Sequence, residues 1–535
     1  MPETYDAIVI GGGHNGLTCA AYLAKADQRV LVLERRDILG GATVTEEIYP
    51  GFKYSVCSYV VSLLRPQVIS ELDLPRHGLE ILPLDGTLTP LENDDYVMRW
   101  SDGNETRREL ERHSTADADA YGQFGELLYH LARAVRPILS THAPDPTSLA
   151  PSQLRQLADV AKTFGKSKAH LFDLAKLMTM SSADFVEQWF ETEGLKATLS
   201  ASGIIGTFLG PRTPGSAYVM LHHYMGEIDG QFRAWGFPRG GMSGVAEAIA
   251  SAARSFGAKI RTEAAIEKIL VERGRASGVV LEGGEEIRAK RVISSVDPRR
   301  TFESLVGAEH FDSDFQNQIR RYRYRGSSGK VNLALDALPE FTCLQNARSW
   351  TGYGRDAHLA GAISISPSID HLERAYDDAK YGRHSRQPYM DIIIPSLIDP
   401  SMAPPGKHVM SIFVQYAPYD LAPSEGTWDD QRESFGDAVI DTLSRFAPNL
   451  KDILLHRQVV TPLDLERRFG LTEGNIFHGE LSLEQLFFLR PTAGWADYTT
   501  PLRDLYLCGS GTHPGGGVMS APGRLAAQKI LREVA

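Results

Sequence analysis

Tyr5-Asp6-Ala7-Ile8-Val9-Ile10-Gly11-Gly12-Gly13-His14-Asn15-Gly16 reads as a short apolar strand running directly into a Gly-x-Gly-x-x-Gly turn. A helix-compatible run, Leu17 to Ala24, follows, and then a second apolar strand, Arg29 to Leu33, that ends on Glu34. Strand, glycine turn, helix and a strand closed by a carboxylate form the βαβ unit that binds a dinucleotide. Gly11 permits the tight turn, Gly13 lets a pyrophosphate approach the backbone, and Gly16 lets helix and strand pack closely. The helix N-terminus then faces the negative charge. Glu34 sits near the roughly 20-residue spacing expected of the acid that accepts a ribose hydroxyl.

The rest of the composition narrows the class. At 535 residues the chain exceeds one ordinary core, so more than one domain is expected. Hydrophobic residues at 42% and charged residues at 23% describe a globular protein. A net charge of −11 argues against a nucleic-acid partner. No window approaches the roughly 18 uninterrupted apolar residues of a membrane-spanning helix. The early strand predicts no secretory or transit peptide, and the expected location is cytoplasmic, with room for peripheral contact between a surface patch and a membrane. Cys19, Cys57, Cys343 and Cys508 form neither Cys-x-x-Cys nor a zinc spacing, so no metal site and no redox dithiol are expected. Cys19 and Cys508 read as packing residues, and Cys57 lies nearest a cofactor edge.

The expected fold class is α/β. A Rossmann-like, three-layer cofactor-binding domain is built discontinuously from residues 1–75, 236–300 and 500–535. An α+β substrate domain takes residues 76–235 and 301–499, with a helical insertion at about 107–193. The insertion shows apolar residues at helical spacing, as in Asp119 to Leu131, Leu171 to Met178 and Ala183 to Phe190. Near the far end, the strand Asp504 to Cys508 enters the glycine-rich loop Gly509 to Gly517, and Ala521 to Val534 reads as a helix. Such a loop, held between a buried strand and a helix, lets something large and flat approach the backbone. No second strand–Gly-x-Gly-x-x-Gly–helix unit appears, so one dinucleotide is indicated. The distant second glycine loop favours FAD, whose flavin end needs support far from the adenosine.

Three motifs carry a family resemblance: the fingerprint with Leu39-Gly40-Gly41-Ala42-Thr43, the segment Pro238-Arg239-Gly240-Gly241-Met242, and Gly509-Ser510-Gly511-Thr512-His513-Pro514-Gly515-Gly516-Gly517. With them the chain resembles the phytoene desaturase-like FAD oxidoreductases, a branch of the amine-oxidase and dinucleotide-disulfide-reductase superfamily. Tyr54 to Tyr59 and Arg65-Pro66 look like the subgroup named for a pyridine nucleotide-disulfide oxidoreductase domain rather than a dedicated carotenoid enzyme. The resemblance implies an FAD site. Gly11, Gly13, Asn15 and Gly16 would hold the pyrophosphate, Glu34 the ribose, and Gly41, Ala42 and Thr43 the phosphates and ribityl chain. Ile266 would contact adenine, Gly241 and Met242 would border the flavin, and Gly509, Ser510, Val518 and Met519 would cap its ribityl and pyrimidine end. Many relatives carry an acid where this chain has Ser510.

The expected reaction is FAD-dependent dehydrogenation or desaturation of an apolar, polyene- or lipid-like small molecule, with a non-nicotinamide electron acceptor. A flavin-requiring isomerase and an FAD-retaining regulatory or partner-binding protein are the alternatives. The helical insertion is expected to wall an apolar cavity, helped by Gly206 to Gly215 and by His222 to Met225. Either histidine could take a proton, although a backbone contact is the commoner role; adjacent residues on an extended chain face opposite ways, which disfavours a shared metal ion. No residue stands out as catalytic. The single fingerprint predicts that the purified protein carries about one non-covalent FAD per chain and that NADH and NADPH reduce it poorly. Anaerobic stopped-flow absorbance checks this; rapid stoichiometric bleaching by either nicotinamide would refute it.

Overall fold

The alternation of the first two strands sets the layers. Ala7, Val9, Val30 and Val32 join one buried cluster, with Leu17, Ala20 and Leu23 of the first helix. Ile8, Ile10, Leu31 and Leu33 join another, with Ile269, Val279, Phe302 and Phe315. Strands buried on both faces are what a parallel sheet covered on both sides requires. The computed structural model describes residues 4–165, 168–228, 230–232, 234–345 and 355–534.

The parallel sheet has five strands in the order Lys259–Arg261, Val30–Leu33, Ala7–Ile10, Val292–Ser294 and Leu505–Leu507. The helices His14–Lys25, Ser243–Ser255 and Ala521–Val534 cover one face. A three-stranded antiparallel sheet, Ile266–Glu272, Arg275–Leu281 and Glu286–Arg288, covers the other. The result is the three-layer α/β architecture expected from the sequence.

A second sheet faces the glycine turn from across the molecule. It has seven strands, in the order Leu454–Val460, Ser328–Leu335, His408–Gln415, Tyr389–Ile393, Ala362–Ile365, Thr87–Pro90 and Tyr96–Arg99. Every pairing is antiparallel except Ala362–Ile365 with Thr87–Pro90. The insertion is helical, with Gly103–Glu111, Thr115–Val135, Pro151–Gly165, Leu171–Thr179 and Ser182–Glu187. Ser114 caps the second of these and Ser181 the last through side-chain bonds to Asp117 N and Asp184 N. Leu110, Phe124, Leu128, Leu177 and Phe185 enter one core with Met220, Leu221 and Tyr224 of the helix Ser216–Tyr224, on which three of these helices pack.

One side chain ties the glycine-rich loop to the segment that faces it. Arg490 is fully buried. Its Nε donates to Ser510 O at 3.1 Å and its Nη2 to Ser510 O at 2.8 Å, Phe477 O at 2.7 Å and Gly479 O at 3.2 Å. Its Nη1 donates to Glu480 O at 3.1 Å and Gln485 O at 3.2 Å. A lysine could not span this set, because only the planar guanidinium carries five N–H groups in a fork. Replacement Arg490→Met should cost at least about 3 kcal/mol, since several buried carbonyls lose a charged donor at once. Denaturant unfolding checks it, and a loss under about 1 kcal/mol would contradict the assignment.

Candidate functional site

The fingerprint glycines differ in what they are for. Gly11 has a φ of +92°, and a Cβ there would lie 2.6 Å from Ser295 Oγ. At Gly16 a Cβ would lie 2.2 Å from Gly11 O, so helix and turn meet only without a side chain. Gly13 is different: the nearest atom to its Cβ would be Gly40 O at 4.0 Å. The space above Gly13 belongs to a cavity and not to the protein. Gly13 also caps the helix His14–Lys25 with no side-chain bond to the free N–H groups, and no acid lies in the first turn. This helix end is therefore open to an anion.

The cavity runs from this turn in two directions. Towards Glu34 it is lined by Arg35, Arg36, Ile266, Arg300, Arg468 and Gly470. Glu34 is buried, and its Oε2 and Oε1 accept from Gly12 N at 2.7 Å and Arg36 N at 2.9 Å. Arg36 and Arg468 both reach Glu46, at 3.0 and 3.3 Å, and Arg36 lies over the Phe469 ring. Arg35 donates to the carbonyls of Arg467 and Arg468, at the end of the helix Pro462–Phe469. Four arginines against Glu34 and Glu46 leave this end cationic, which suits a phosphate-bearing adenosine.

The opposite direction is apolar, lined by Tyr59, Leu63, Ile205, Trp235, Phe413 and Phe477. Two basic side chains, Lys330 and His223, also reach it. Lys330 is buried on the strand Ser328–Leu335 and donates from Nζ to Ser55 O at 2.6 Å. Its Nζ stands 5.4 Å from the centre of the Tyr59 ring. Burial pushes its ammonium down to about 7. Tyr59 stacks on Phe413 and donates to Asp391 Oδ2 at 2.6 Å. Burial pushes that carboxyl up to about 6, opposed by the Tyr59 hydrogen bond and by Arg99. His223 is held neutral, pushed down to about 3 by burial and by His222 beside it. Cys57 also lines the wall, and burial raises its thiol to about 12, which removes it as a nucleophile at neutral pH.

Ten of the fifteen residues expected at the site lie on this wall: Gly11, Gly13, Asn15, Gly16, Glu34, Gly41, Ala42, Ile266, Ser510 and Val518. Asn15 Nδ2 donates to Ser510 Oγ at 3.0 Å, joining the two glycine-rich ends of the chain. The other five stand behind the wall, where they shape it. Thr43 Oγ1 donates to Gly40 O and closes the turn. A Cβ at Gly241 would meet Thr45 Oγ1 at 2.3 Å, and one at Gly509 would meet Ser295 O at 2.3 Å. Met242 is buried in the core beneath the covering helices. Met519 is buried, and its carbonyl accepts from Arg65 N.

Three sequence expectations require correction. Among the described residues, none from 107–193 lines the cavity, because the insertion buries its apolar faces against the helix Ser216–Tyr224 and the core around Tyr59, Phe413 and Phe477, behind the wall. The second sheet and the segment Phe469 to His478 form that wall instead. Gly206 to Gly215 is also absent from the wall; Gly206 N is taken up by Gln415 Oε1. His222 and His223 lie on the helix Ser216–Tyr224 rather than an extended chain, with rings 5.4 Å apart and nearly perpendicular. No cluster of three or more potential metal ligands occurs among the described residues.

The residues present fit FAD. The uncapped helix end and the space over Gly13 accept a pyrophosphate. His14 Nε2, Asn15 Oδ1, His478 Nδ1 and His223 Nε2 are buried without a protein partner along the same cavity. Gly13→Val should therefore leave a folded protein that purifies without flavin. Gly16→Val should fail to fold, because its side chain collides with backbone. Circular dichroism with acid-released flavin chromatography separates the two; flavin retained by folded Gly13→Val would refute this reading.

Comparison with known proteins follows the same outline. A family profile described as flavin-containing amine oxidoreductase matches residues 16–531. The chain is 42% identical to a rat protein named pyridine nucleotide-disulfide oxidoreductase domain-containing protein 2, covering 100% of this chain and 94% of that one. It is 26% identical to one of the subunits of limonene dehydrogenase from Castellaniella defragrans, covering 99% and 95%. Among solved structures, an oxidoreductase from Methanosarcina mazei superposes with a TM-score of 0.59 at 19% identity, over 98% and 99% of the two chains.

Proposed function

The chain belongs to the flavin-containing amine oxidoreductase family, and from that premise we propose that it dehydrogenates a CH–CH bond of an apolar, polyene- or lipid-like molecule. FAD is its cofactor. The electrons then pass to an acceptor other than a nicotinamide.

The observation that carries this reading is the separation of charge along the cavity. Glu34 is the acid on the described wall, and it stands at the adenosine end with Arg35, Arg36, Arg300 and Arg468. The aromatic and aliphatic end offers no carboxylate to a cationic amine and no pair of arginines to a carboxylate among its described residues. Recognition there rests on shape and on burial, at about 25 cal/mol per Å² of apolar surface removed from water. The limonene dehydrogenase relative carries in its name the dehydrogenation of a terpene, which agrees in chemical class.

Bound FAD supplies the two-electron acceptor. Converting CH–CH to C=C removes two hydrogens, one with the electron pair that FAD would accept and one as a proton that the chain has to receive. Lys330 suits that task, since its buried amine is half-deprotonated near neutral pH and reaches the apolar end. Tyr59 holds the wall beneath Lys330, and its hydroxyl is fixed by Asp391. The same ring and Phe413 exclude water from the amine.

Anaerobic mixing with unsaturated hydrocarbons and with primary amines tests the substrate class. Flavin bleaching by the hydrocarbons alone is expected; bleaching by amines alone would overturn the proposal. An isomerised product with no electrons taken up would favour the redox-neutral alternative.

Lys330 gives a pH signature. The rate of flavin reduction should rise as pH increases through about 7, as Lys330 loses its proton. Lys330→Met should keep FAD, lose this limb and run roughly 10²–10⁴-fold slower. The stability sign follows from the same shift. The folded protein releases this proton at about 7, against 10.5 for an ordinary lysine, so the cost of burying the charge is full below 7 and falls as pH rises towards 10.5. Wild type should gain stability over that window relative to Lys330→Met; an identical pH profile for both proteins would remove Lys330 from the mechanism.

A further inference from the structure

His223 leaves one hydrogen bond unmade at the apolar end of the cavity. The residue is 8% exposed on the helix Ser216–Tyr224, and it lines the cavity. Its ring tilts against that of Phe477, with centres 6.4 Å apart. Among the described residues its Nε2 is buried with no partner. Buried polar atoms in folded proteins almost always have one, so a bare nitrogen on a cavity wall points to a group that the cavity receives.

The other ring nitrogen fixes what that group must be. The carbonyl of Ile205, also a wall residue, accepts a hydrogen bond from the His223 ring. With Nε2 unpartnered, Nδ1 makes that bond and carries the proton. Burial, with His222 alongside, keeps the ring neutral, and a neutral ring holds one proton. Nε2 is therefore a lone pair that can accept and cannot donate. Two other polar side chains of this end already donate to the protein, Lys330 Nζ to Ser55 O and the Tyr59 hydroxyl to Asp391 Oδ2.

A ligand suits this wall when it brings one hydroxyl on an apolar body. A hydrocarbon leaves Nε2 bare, and an ether, ketone or carboxylate sets a second acceptor against it. An ammonium would find no carboxylate among the described residues of this end. We propose that the substrate is an unsaturated apolar alcohol whose hydroxyl donates to His223 Nε2. This rests on the CH–CH dehydrogenation proposed above. The hydroxyl is a handle and not the reacting group. Apolar contact alone lets a long chain slide, whereas one directional bond fixes which carbon pair reaches the flavin. His223 thus determines specificity through the hydroxyl.

Anaerobic holoprotein reduced with dithionite binds a ligand without turning it over. Equilibrium dialysis of this form compares geraniol and farnesol, each against its methyl ether, which keeps the shape and lacks the donor. The better-bound alcohol should exceed its ether by about tenfold to a hundredfold. His223→Phe should keep its FAD and melting temperature and bind alcohol and ether alike. Equal binding of alcohol and ether by wild type, or no binding of either alcohol, would overturn the proposal. So would a preference that survives in His223→Phe, or a folded His223→Phe that releases flavin, since Nε2 would then serve the cofactor. The wild-type comparison decides the matter even if the variant does not fold. Dehydrogenation is read separately, from the product formed by the oxidised flavin. A new C=C bond with the hydroxyl intact supports it, whereas a carbonyl product would overturn the CH–CH reading and leave the His223 bond standing.

Discussion

The guanidinium of Arg490 is the constraint on which the cavity depends. Six hydrogen bonds to five carbonyls hold the segment Phe477 to Gln485 against Ser510. Phe477 and Ser510 are both wall residues, so one side chain sets the width of the cavity between them. A glycine-rich loop gains little from its own side chains and loses much conformational entropy on ordering. Its shape has to be imposed from outside. Arg490 does so at Ser510, and Tyr498 adds a bond to His513 O, while His513 Nε2 contacts the carbonyls of Ile138 and Thr141 in the insertion. The insertion thus braces the loop from behind, although it does not line the cavity.

The two ends of the cavity solve different electrostatic problems. At the adenosine end, arginines around Glu34 and Glu46 give a charged, orienting frame for a ligand that is itself charged. At the other end the wall is desolvated, and the polar groups in it are held neutral or tied up. Lys330 and Asp391 illustrate the consequence. Burial moves the amine down to about 7 and the carboxyl up to about 6, so the two approach each other from opposite ends of the scale. A surface pair of the same residues would have fixed charges and no such role.

The fold was legible where local pattern and tertiary demand agree. The βαβ unit, the strand Leu505–Leu507 and the helix after it read directly from apolar runs bounded by glycine and acid. Glycines reported close backbone approach correctly, but not what approaches: Gly13 opens to the cavity, whereas Gly241 and Gly509 only make room for Thr45 and Ser295. Lys330 was invisible because a lysine at the start of an apolar run looks like a solvated strand end. It is buried because its strand lies between Leu454–Val460 and His408–Gln415, a placement set by pairing of Lys330 with Phe413 and Val460, far along the chain. The insertion misled for a related reason. Amphipathic periodicity shows that a helix has a buried face, and says nothing of which neighbour covers it.

The parallel sheet is assembled from pieces scattered along the polypeptide: Ala7–Ile10 pairs with Val30–Leu33 and Val292–Ser294, Val30–Leu33 also with Lys259–Arg261, and Val292–Ser294 with Leu505–Leu507. Ala7–Ile10 and Val30–Leu33 are partners of each other, but Lys259–Arg261 and Val292–Ser294 follow more than two hundred residues later, and Leu505–Leu507 only after the seven-stranded sheet. Contacts so distant in sequence make closure slow. The wall takes Gly13 from one glycine turn and Ser510 and Val518 from the other, so the flavin site is complete only when both are in place, and a bound flavin stabilises their union as a ligand.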